Sequence, residues 1–295
     1  MDFLRPASWA DALELKAARP EATPIQGGTD VMVEINLDKG RPSALLDLTP
    51  VAELAEWSRE GGTLRIGAGV TYTRVIAELG AWLPGLAQAS RTVGSPQIRN
   101  RGTVAGNLGA ASPAGDSHPP LLASGALVEA ESVRGARLIP ITEFYTGVKR
   151  NALEPDELIR AVRVPVATGP QYFSKIGPRN AMVIAVCSFG IALHPAERRA
   201  GTGIGSAAPT PRAAPAAEEL LAAELDWEGR SALDPALARR FGELVAGAAA
   251  PIDDVRGRAA YRLHALAVMA RRTLGWAWND YTGGHTGDHT GRGAA

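Results

Sequence analysis

Two glycine-rich stretches that lie far apart in the chain are the strongest constraint on its fold. The first, PIQGGTD, spans Pro24 to Asp30, and the second, GTVAGNLGAASPAGD, spans Gly102 to Asp116. Glycine weakens helices and strands, so it is used where the backbone needs a positive φ or a close approach to another group. A turn needs one such glycine, whereas a ligand held by the backbone needs several.

Each stretch places small hydroxyl or amide side chains beside its glycines. The groups concerned are Gly27, Gly28 and Thr29 in the first stretch, and Thr103, Gly106 and Asn107 in the second. Backbone N–H groups at such positions form a concave donor surface that binds anions. Two such surfaces facing each other would hold a diphosphate with no lysine or arginine. A plain turn is the alternative explanation for each stretch taken alone.

The length of the chain limits the number of its domains, and its charge argues against some partners. The chain has 295 residues, of which 45% are hydrophobic, so it is long enough to fold as two domains. It carries 31 basic and 31 acidic residues. This balance creates no net field, which argues against nucleic acid or an anionic membrane surface as the partner.

The single cysteine and the N-terminal segment restrict the protein further. Cys187 excludes an internal disulfide and a cysteine-ligated zinc or iron–sulfur site within this chain. It lies in the apolar run AMVIAVCSFGIAL and is expected to be a small buried hydrophobic residue. MDFLRPASWADALEL lacks a basic leader, and no apolar run approaches the ~20 residues of a membrane span. We therefore expect a cytoplasmic protein with no membrane span.

The first part of the chain predicts alternating helices and strands. Ser8 is expected to cap a helix through ADALELKAAR, which Pro20 ends, and TPIQGG to form a short strand that runs into a turn. TDVMVEINL suits a helix capped by Thr29 or Asp30, although its β-branched residues also suit a strand. SALLDL and TLRIGAGV are typical of buried strands, and TRVIAEL of a helix.

One long irregular segment separates these elements from a second regular pattern. From Gly94 to Pro120 no period is visible, which indicates a long loop that is either functional or disordered. ALVEAES and ARLIPI alternate like a hairpin, and ELIRAVRVP predicts a strand before the linker VATGPQ. YFSKIG, VIAVCSFGIAL and GTGIGSAA then predict three strands of an antiparallel sheet. Helical patterns follow at PAAEELLAAEL, PALARRFGELVAGAAA and GRAAYRLHALAVMARRTLGW.

The last of these helices has one apolar face. The residues on that face are Leu263, Leu266, Ala267, Ala270 and Leu274, and those off it are Arg262, Arg271 and Arg272. The tail YTGGHTGDHTGRGAA has too few apolar residues to dock, so we expect it to be disordered. His285 and His289 lie in this tail and are expected to be solvated rather than to bind a metal.

No motif in the chain indicates a catalytic side chain or a metal ligand. A P-loop, a nucleophile elbow and an H-E-x-x-H motif are all absent, and GAGVTY and GTGIGS lack the third glycine of a dinucleotide-binding fingerprint. His264 is expected to pack or to cap its helix. Asp253 and Asp254 are expected to stabilise the N-terminus of the same helix. We therefore assign no catalytic acid, base, nucleophile or metal ligand.

The two loops and the sequence around them resemble a known family. QGGTD and VGSPQIRNRGTVAGNLGAASPAGD, with LRIGAGVTYTRVIAEL between them, resemble the flavin-binding medium subunit of the molybdenum hydroxylases, the xanthine dehydrogenase and carbon monoxide dehydrogenase family. The resemblance continues through DELIRAVRVP, YFSKIGPRNAMVIAVCSFGIAL, GSAAPTPRAA and PIDDVRGRAAYRLHALAVMARRTL, so it covers nearly the whole chain.

The resemblance implies an α+β fold. A PCMH-type FAD-binding domain of two subdomains would span residues 1–166, and a C-terminal domain with a small antiparallel sheet and helices would span 172–281. The remaining residues, 282–295, would form the disordered tail. FAD would lie extended between the two domains.

The resemblance also implies a set of cofactor-binding residues. Two loops of the family wrap the pyrophosphate of FAD, and they correspond to QGGTD and to the segment from Thr103 to Asn107. Asp116 matches an acidic residue on the adenosine and ribose side, and Ile159 and Lys175 match positions near the flavin. The full set is Ile25, Gln26, Gly27, Gly28, Thr29, Asp30, Thr103, Gly106, Asn107, Asp116, Ile159 and Lys175.

Two of these positions, and Ala105 in the second loop, carry open questions. Gln26 replaces the usual alanine of the first loop and would reach either FAD or a partner subunit. Ala105 replaces a glycine of the second loop, which is tolerable if its φ is negative and if the residue does not itself touch the phosphate. The pattern around Lys175 favours a side chain that extends to solvent, whereas the family match places its charge near the flavin, where it would favour an anionic reduced form.

The function implied is that of the FAD-carrying electron-transfer subunit of a multi-subunit molybdenum hydroxylase. Its partners would be a small subunit with iron–sulfur (2Fe-2S) clusters and a large subunit with the molybdenum cofactor, and we expect a dimer of heterotrimers. FAD would pass electrons to NAD, oxygen or another acceptor. PQIRN, from Pro96 to Asn100, would face a subunit or the flavin, or form an ordinary solvated loop.

Other functions stay open at this stage. The first loop favours the xanthine dehydrogenase type over the carbon monoxide or aldehyde dehydrogenase type, because carbon monoxide dehydrogenases often carry His-Ser there. A flavin-free assembly scaffold with the same fold is the alternative from another class. A free-standing flavin oxidase is the third, although the C-terminal part offers no clear substrate pocket.

Overall fold

The computed structural model describes residues 1–283, and its elements form three groups along the chain. The first group contains β1 (Asp2–Leu4), α1 (Trp9–Ala18), β2 (Thr23–Ile25), α2 (Val31–Asn36) and β3 (Ala44–Asp47). β3 lies in the centre of the sheet and pairs in parallel with β1 and β2. Ser8 caps α1 as predicted, because its side chain accepts a hydrogen bond from the N–H of Asp11.

The second group is larger and is built on antiparallel strands. Its strands are β4 (Trp57–Glu60), β5 (Thr63–Gly67), β6 (Leu127–Ser132), β7 (Gly135–Pro140), β8 (Tyr145–Gly147), β9 (Arg150–Asn151) and β10 (Leu158–Pro165). Its helices are α3 (Tyr72–Arg74), α4 (Pro84–Thr92), α5 (Pro96–Arg99), α6 (Val104–Ala110), α7 (His118–Ser124) and α8 (Ile141–Phe144). Five strands form one sheet in the order β4-β5-β10-β6-β7, and β8 pairs with β9. α3 continues into a π-helical turn, so the helix predicted at TRVIAEL is present but irregular.

The segment from Gly94 to Pro120 is not the long loop that its irregular sequence predicts. It contains α5, α6 and the beginning of α7. Ser95 and Thr103 accept hydrogen bonds from the N–H groups of Ile98 and Gly106, three residues further on, so each of them begins a helix. Buried apolar side chains anchor α6, and this packing offsets the low helix propensity of its glycines.

The third group is a small antiparallel sheet covered by helices. Its elements are β11 (Gln171–Ile176), β12 (Cys187–His194), β13 (Arg199–Gly205), α9 (Pro215–Glu224), α10 (Pro235–Gly247) and α11 (Ala259–Thr282). β12 lies in the centre and pairs with both neighbours. The predicted α+β class, with an antiparallel sheet and helices at the C-terminal end, is confirmed. Cys187 is fully buried as expected, and burial raises the pKa of its thiol to about 11.

Buried apolar residues form two separate cores. The first runs from Trp9 to Val164 and joins the first two groups, and the second runs from Cys187 to Trp278 within the third group. Within residues 1–283, no helix combines the length and the apolar composition that crossing a bilayer requires.

One arginine of α11 is buried, against the prediction from the helical pattern. Arg262 donates hydrogen bonds to the carbonyl groups of Val186 and Ser206 and pairs with Asp254. These partners replace water around the guanidinium, which is the condition for burying an arginine. Of the two aspartates expected at the helix N-terminus, only Asp253 accepts a hydrogen bond from its first N–H group; Asp254 pairs with arginines instead.

The end of α11 also differs from its prediction. Thr282 still belongs to the helix and Gly283 ends it with a φ of +78°. Residue 282, predicted to be the first residue of the tail, therefore belongs to α11. The residues after Gly283, including His285 and His289, lie outside the part of the chain that the structure describes.

Glycines on β12 and β13 allow the third group to lie directly on α7. A Cβ at Gly203 would lie 2.1 Å from the carbonyl oxygen of Pro119, and a Cβ at Gly201 would lie 2.1 Å from that of Ala123. Backbone therefore contacts backbone at this junction, with no room for a methyl group. The contact fixes the third group against the second.

Replacing Gly203 with alanine forces a methyl group onto the Pro119 carbonyl. We expect this variant to lose about 2 kcal/mol or more of unfolding free energy. The control is Gly275→Ala in α11, where a Cβ meets no atom within 4 Å and alanine favours the helix by about 1 kcal/mol. Urea denaturation measures both values, and equal stability of the two variants would contradict the close packing.

Candidate functional site

One cleft of about 910 Å³ brings the two glycine-rich stretches together. Of the predicted site residues, it is lined by Gln26, Gly27, Gly28, Thr29, Asp30, Thr103, Gly106, Asn107, Asp116 and Ile159. Ile25 ends β2 just before the first loop, and Lys175 contacts the cleft residue Asp116. The predicted set is thus assembled in one place from all three groups of elements.

The two loops touch at a position that only glycine can occupy. A Cβ at Gly27 would lie 2.2 Å from the carbonyl oxygen of Arg101 and 3.0 Å from the backbone nitrogen of Gly102. The next residue, Gly28, has a φ of +73°, a conformation that other residues rarely adopt. The pair of glycines therefore serves two purposes: Gly27 allows the contact, and Gly28 turns the chain into α2.

The second loop presents an open edge to the cleft. Thr103 holds the start of α6 through its Oγ1, which accepts from the N–H of Gly106 at 2.9 Å. A Cβ at Gly106 would meet only this Thr103 oxygen within 4 Å. Ala105 has no positive φ and lies in α6, so the methyl group at this position causes no strain. The backbone condition for tolerating this departure from the family's glycine is therefore met.

The first loop supplies hydrogen-bond donors. Within residues 1–283, the backbone N–H groups of Gly27, Gly28 and Thr29 have no hydrogen-bond acceptor. Backbone N–H groups that converge on a concave surface bind anions such as phosphate. The first loop thus has three N–H groups without a protein acceptor in this range, on residues that line the cleft.

Buried acceptors lie in the same cleft. Gln26 Oε1, Asn107 Oδ1 and Asp116 Oδ1 are buried and have no partner within residues 1–283. An unpaired buried acceptor costs about 1–3 kcal/mol, so these three atoms fit a ligand that carries hydroxyl or amino donors. Gln26 Nε2 lies near Gly69, 3.1 Å from where its Cβ would be. The Gln26 side chain therefore lies against Gly69 within the fold, and Gln26 is one of the residues that line the cleft.

Asp116 and Lys175 form a buried ion pair. Lys175 Nζ lies 2.6 Å from Asp116 Oδ2 and 3.1 Å from the carbonyl oxygen of Thr92, and both side chains are less than a tenth exposed. Burial raises the pKa of the Asp116 carboxyl, while Lys175 and the Thr92 hydroxyl oppose that shift. The local pattern predicted that the Lys175 side chain extends to solvent. This prediction is wrong, because the side chain is buried.

This pairing also corrects the placement of the two residues along an extended ligand. The resemblance placed Asp116 on the adenosine side and Lys175 near the flavin. Since their charged atoms are in contact, they cannot mark opposite ends of an extended dinucleotide. Val183 lines the cleft and packs against Gly177, shortly after Lys175 on the chain. The ion pair thus belongs to the side of the cleft that the third group closes.

Several cleft residues were not found from the sequence. Lys149 and Glu34 form an exposed ion pair between the β8–β9 turn and α2, and both line the cleft. Lys16 donates to the carbonyl groups of Pro20 and Ala22, and burial lowers its pKa. No local pattern marks Glu34 and Lys149, because the partner of each comes from another element. Lys16 bonds instead to the segment that directly follows its own helix. The PQIRN segment forms α5, and its Ile98 lines the cleft.

The chemistry of the lining defines the ligand that fits. Backbone donors of the first loop lie next to carboxamide and carboxylate acceptors, and apolar side chains such as Ile159 and Val183 complete the wall. A molecule with a phosphate group between hydroxyl-bearing and aromatic parts complements this arrangement. A dinucleotide is such a molecule.

Replacing Lys175 with methionine leaves Asp116 buried without its cation. We expect a loss of about 3 kcal/mol of unfolding free energy near neutral pH. The unpaired Asp116 has a pKa above its unfolded value, so the loss arises while the carboxylate is charged and shrinks as the pH falls through that pKa. Urea denaturation at about pH 7.5 and about pH 5 tests this. The double variant Asp116→Asn, Lys175→Met has no carboxylate at this site. Its loss of unfolding free energy should therefore be the same at both pH values.

Comparison with known families covers almost the entire chain. Residues 1–167 match the family described as the FAD binding domain in molybdopterin dehydrogenase. Residues 172–277 match the family described as the CO dehydrogenase flavoprotein C-terminal domain. The first match alone spans more than half of the chain.

Individual proteins agree with the family matches. The chain is 32% identical over 287 residues to the xanthine dehydrogenase FAD-binding subunit of Escherichia coli, covering 92% of this chain and 94% of that protein. It is also 32% identical over 281 residues to the carbon monoxide dehydrogenase medium chain of Afipia carboxidovorans, covering 92% and 95%.

A solved structure extends the likeness to the fold. Carbon monoxide dehydrogenase from Hydrogenophaga pseudoflava superposes with a TM-score of 0.87 at 26% identity, over 95% of this chain and 98% of that chain. Sequence and fold agree across both matched regions. The chain therefore belongs to the FAD-binding subunits of the molybdopterin dehydrogenases, and it is an oxidoreductase subunit whose cofactor is FAD.

Proposed function

We propose that this chain holds FAD in the cleft between its two glycine-rich loops and transfers electrons within a multi-subunit molybdenum hydroxylase. The observation that carries the proposal is the contact between Gly27 and the Arg101 carbonyl, which joins the two loops in one cleft. The unpaired donors of the first loop and the unpaired acceptors beside them support it.

Each part of the lining has a role in this proposal. The N–H groups of Gly27, Gly28 and Thr29 would bind the diphosphate, and Gly106 would leave space for it. Gln26, Asn107 and Asp116 would accept hydrogen bonds from hydroxyl or amino groups, and Asp30 and Thr103 would shape the two loops. When bound, FAD accepts single electrons and delivers a hydride equivalent. The chain supplies binding, orientation and exclusion of water.

Lys175 has a different role from the one suggested by its charge alone. Its ammonium group is in contact with Asp116, so the pair adds little net charge to the cleft. Lys175 holds Asp116 in place, and Asp116 presents its second oxygen to the ligand. Lys175 therefore acts mainly by positioning the Asp116 carboxylate. Its effect on the reduction potential of the flavin is small, because the carboxylate neutralises its charge.

Partners follow from the chemistry that this chain lacks. One cysteine cannot hold an iron–sulfur cluster, so clusters would reside on a small partner subunit and the molybdenum cofactor on a large one. We propose a cytoplasmic complex, a dimer of heterotrimers, that donates electrons to NAD or oxygen. The GGTD sequence of the first loop favours the xanthine dehydrogenase type over the carbon monoxide dehydrogenase type.

Replacing Gly106 with valine tests the proposed site. Within residues 1–283, a Cβ at this position has only the Thr103 hydroxyl within 4 Å outside the backbone of its own helix. We therefore expect the fold to survive and FAD affinity to fall by about a hundredfold or more, the effect of displacing contacts worth roughly 3 kcal/mol. Flavin absorbance after gel filtration and a titration with FAD measure the change. The control is Gly247→Val, at a helix end where a Cβ meets no atom within 4 Å.

Two results would contradict the proposal. Wild-type binding of FAD with an unchanged affinity in Gly106→Val would place the cofactor elsewhere. A complex that assembles from this chain and its partners but contains no flavin would indicate the scaffold function instead.

The type of hydroxylase can be tested on the isolated complex. We expect xanthine to bleach the flavin absorbance of the anaerobic complex and carbon monoxide to leave it unchanged, because the first loop has the GGTD form. Stopped-flow absorbance spectra record the outcome. Bleaching by carbon monoxide alone would assign the complex to the other type, and subsequent addition of NAD or oxygen identifies the acceptor.

A further inference from the structure

A fully buried histidine lies behind the wall of the cleft. His118 is the first residue of α7 and is 0% exposed. Its Nε2 lies 3.0 Å from the carbonyl oxygen of Ser112, and its Nδ1 lies 2.6 Å from the hydroxyl oxygen of Tyr145. The two rings also meet edge to face, with their centroids 4.9 Å apart. Neither side chain lines the cleft.

The partners of His118 determine which nitrogen carries its proton. A carbonyl oxygen only accepts, so Nε2 must donate to Ser112. Burial lowers the pKa of His118 to about 4, so the ring is neutral near pH 7 and has a single N–H. Nδ1 is therefore an acceptor, and the Tyr145 hydroxyl donates to it. The direction of both hydrogen bonds is fixed.

The histidine ring also packs against the turn that carries Asp116. A Cβ at Gly115 would lie 2.2 Å from His118 Nε2 and 2.6 Å from Asn107 Oδ1. The imidazole, the backbone of Gly115 and the amide of Asn107 are thus in one tight contact. The Asn107 oxygen is one of the unpaired acceptors of the cleft, and Asp116 is the next residue after Gly115.

We infer that His118 and Tyr145 are positioning residues for the dinucleotide: they hold the turn from Ser112 to Asp116 so that Asn107 and Asp116 present their free oxygens to the ligand. The order of contacts is Tyr145 to His118, His118 to Ser112 and Gly115, and Gly115 to Asn107. The inference rests on the proposed function, because it requires FAD to occupy this cleft.

Tyr145→Phe is the main test, because it removes one oxygen and keeps the ring. Without the hydroxyl, Nδ1 loses its donor and the ring is free to change tautomer or orientation. In the purified full chain, we expect the dissociation constant for FAD to rise about threefold to tenfold, with cooperative unfolding retained. Titration with FAD, followed by its visible absorbance and circular dichroism, measures affinity and environment together. The control is Tyr172→Phe, whose hydroxyl contacts Asp280 at 3.5 Å in the third group.

Two variants of His118 separate positioning from general packing. In His118→Gln the amide nitrogen takes the place of Nε2 and still donates to Ser112, whereas in His118→Asn it reaches only the position of Nδ1. Both variants lose the ring. We expect His118→Gln to lose about as much FAD affinity as Tyr145→Phe, because both variants lack the bond between Tyr145 and Nδ1. His118→Asn, which also loses the bond to Ser112, should lose more, with a changed dichroism spectrum of the bound flavin.

The outcomes distinguish this inference from the proposed function. If wild type binds FAD and Tyr145→Phe binds it equally well with the same spectrum, the inference is wrong and the proposed function stands. If wild type binds no FAD, both are wrong. If His118→Asn does not fold, Tyr145→Phe alone decides. Equal losses in the glutamine and asparagine variants would assign His118 to packing and overturn the positioning role.

Discussion

The close approach of Gly27 to the carbonyl oxygen of Arg101, where a Cβ would lie only 2.2 Å away, is the constraint on which the site depends. It brings the end of a parallel strand from the first group against a loop of the second, although the two are far apart in sequence. Any side chain at residue 27 would separate them. Because the loops touch here, the free N–H groups of one and the open edge of the other face the same cleft.

In this cleft, oriented backbone dipoles act beside two ion pairs, the buried pair of Asp116 with Lys175 and the exposed pair of Glu34 with Lys149. The Asp116 and Lys175 side chains neutralise each other, while backbone N–H groups and amide oxygens supply directed hydrogen bonds. Such groups are already oriented in the folded protein, so they need little reorganisation when a ligand binds. A neutral chain with equal numbers of acidic and basic residues therefore still binds a diphosphate.

Sequence patterns were sufficient for features set by local chemistry. The cap at Ser8 and the strands around the glycines follow from residue type and spacing. The position of the two glycine-rich loops at one cleft agrees with the same reasoning. The pairing of Lys175 with Asp116 and the burial of Arg262 did not follow, because each depends on a partner supplied by another element. The helices between Gly94 and Pro120 were missed because their composition does not favour a helix. Buried apolar side chains hold α6, and the serine and threonine caps of α5 and α6 were the available signal.

The glycine surface of β12 and β13 makes one junction of the fold much tighter than another. With backbone pressed on backbone at Pro119 and Ala123, the C-terminal sheet packs on α7 with no room for side chains between them. Beside the cleft, α2 is connected to the β8–β9 turn by the exposed Glu34 and Lys149 pair, a contact worth at most about 1 kcal/mol. A load on the fold would therefore separate α2 from this turn before it separates the C-terminal sheet from α7.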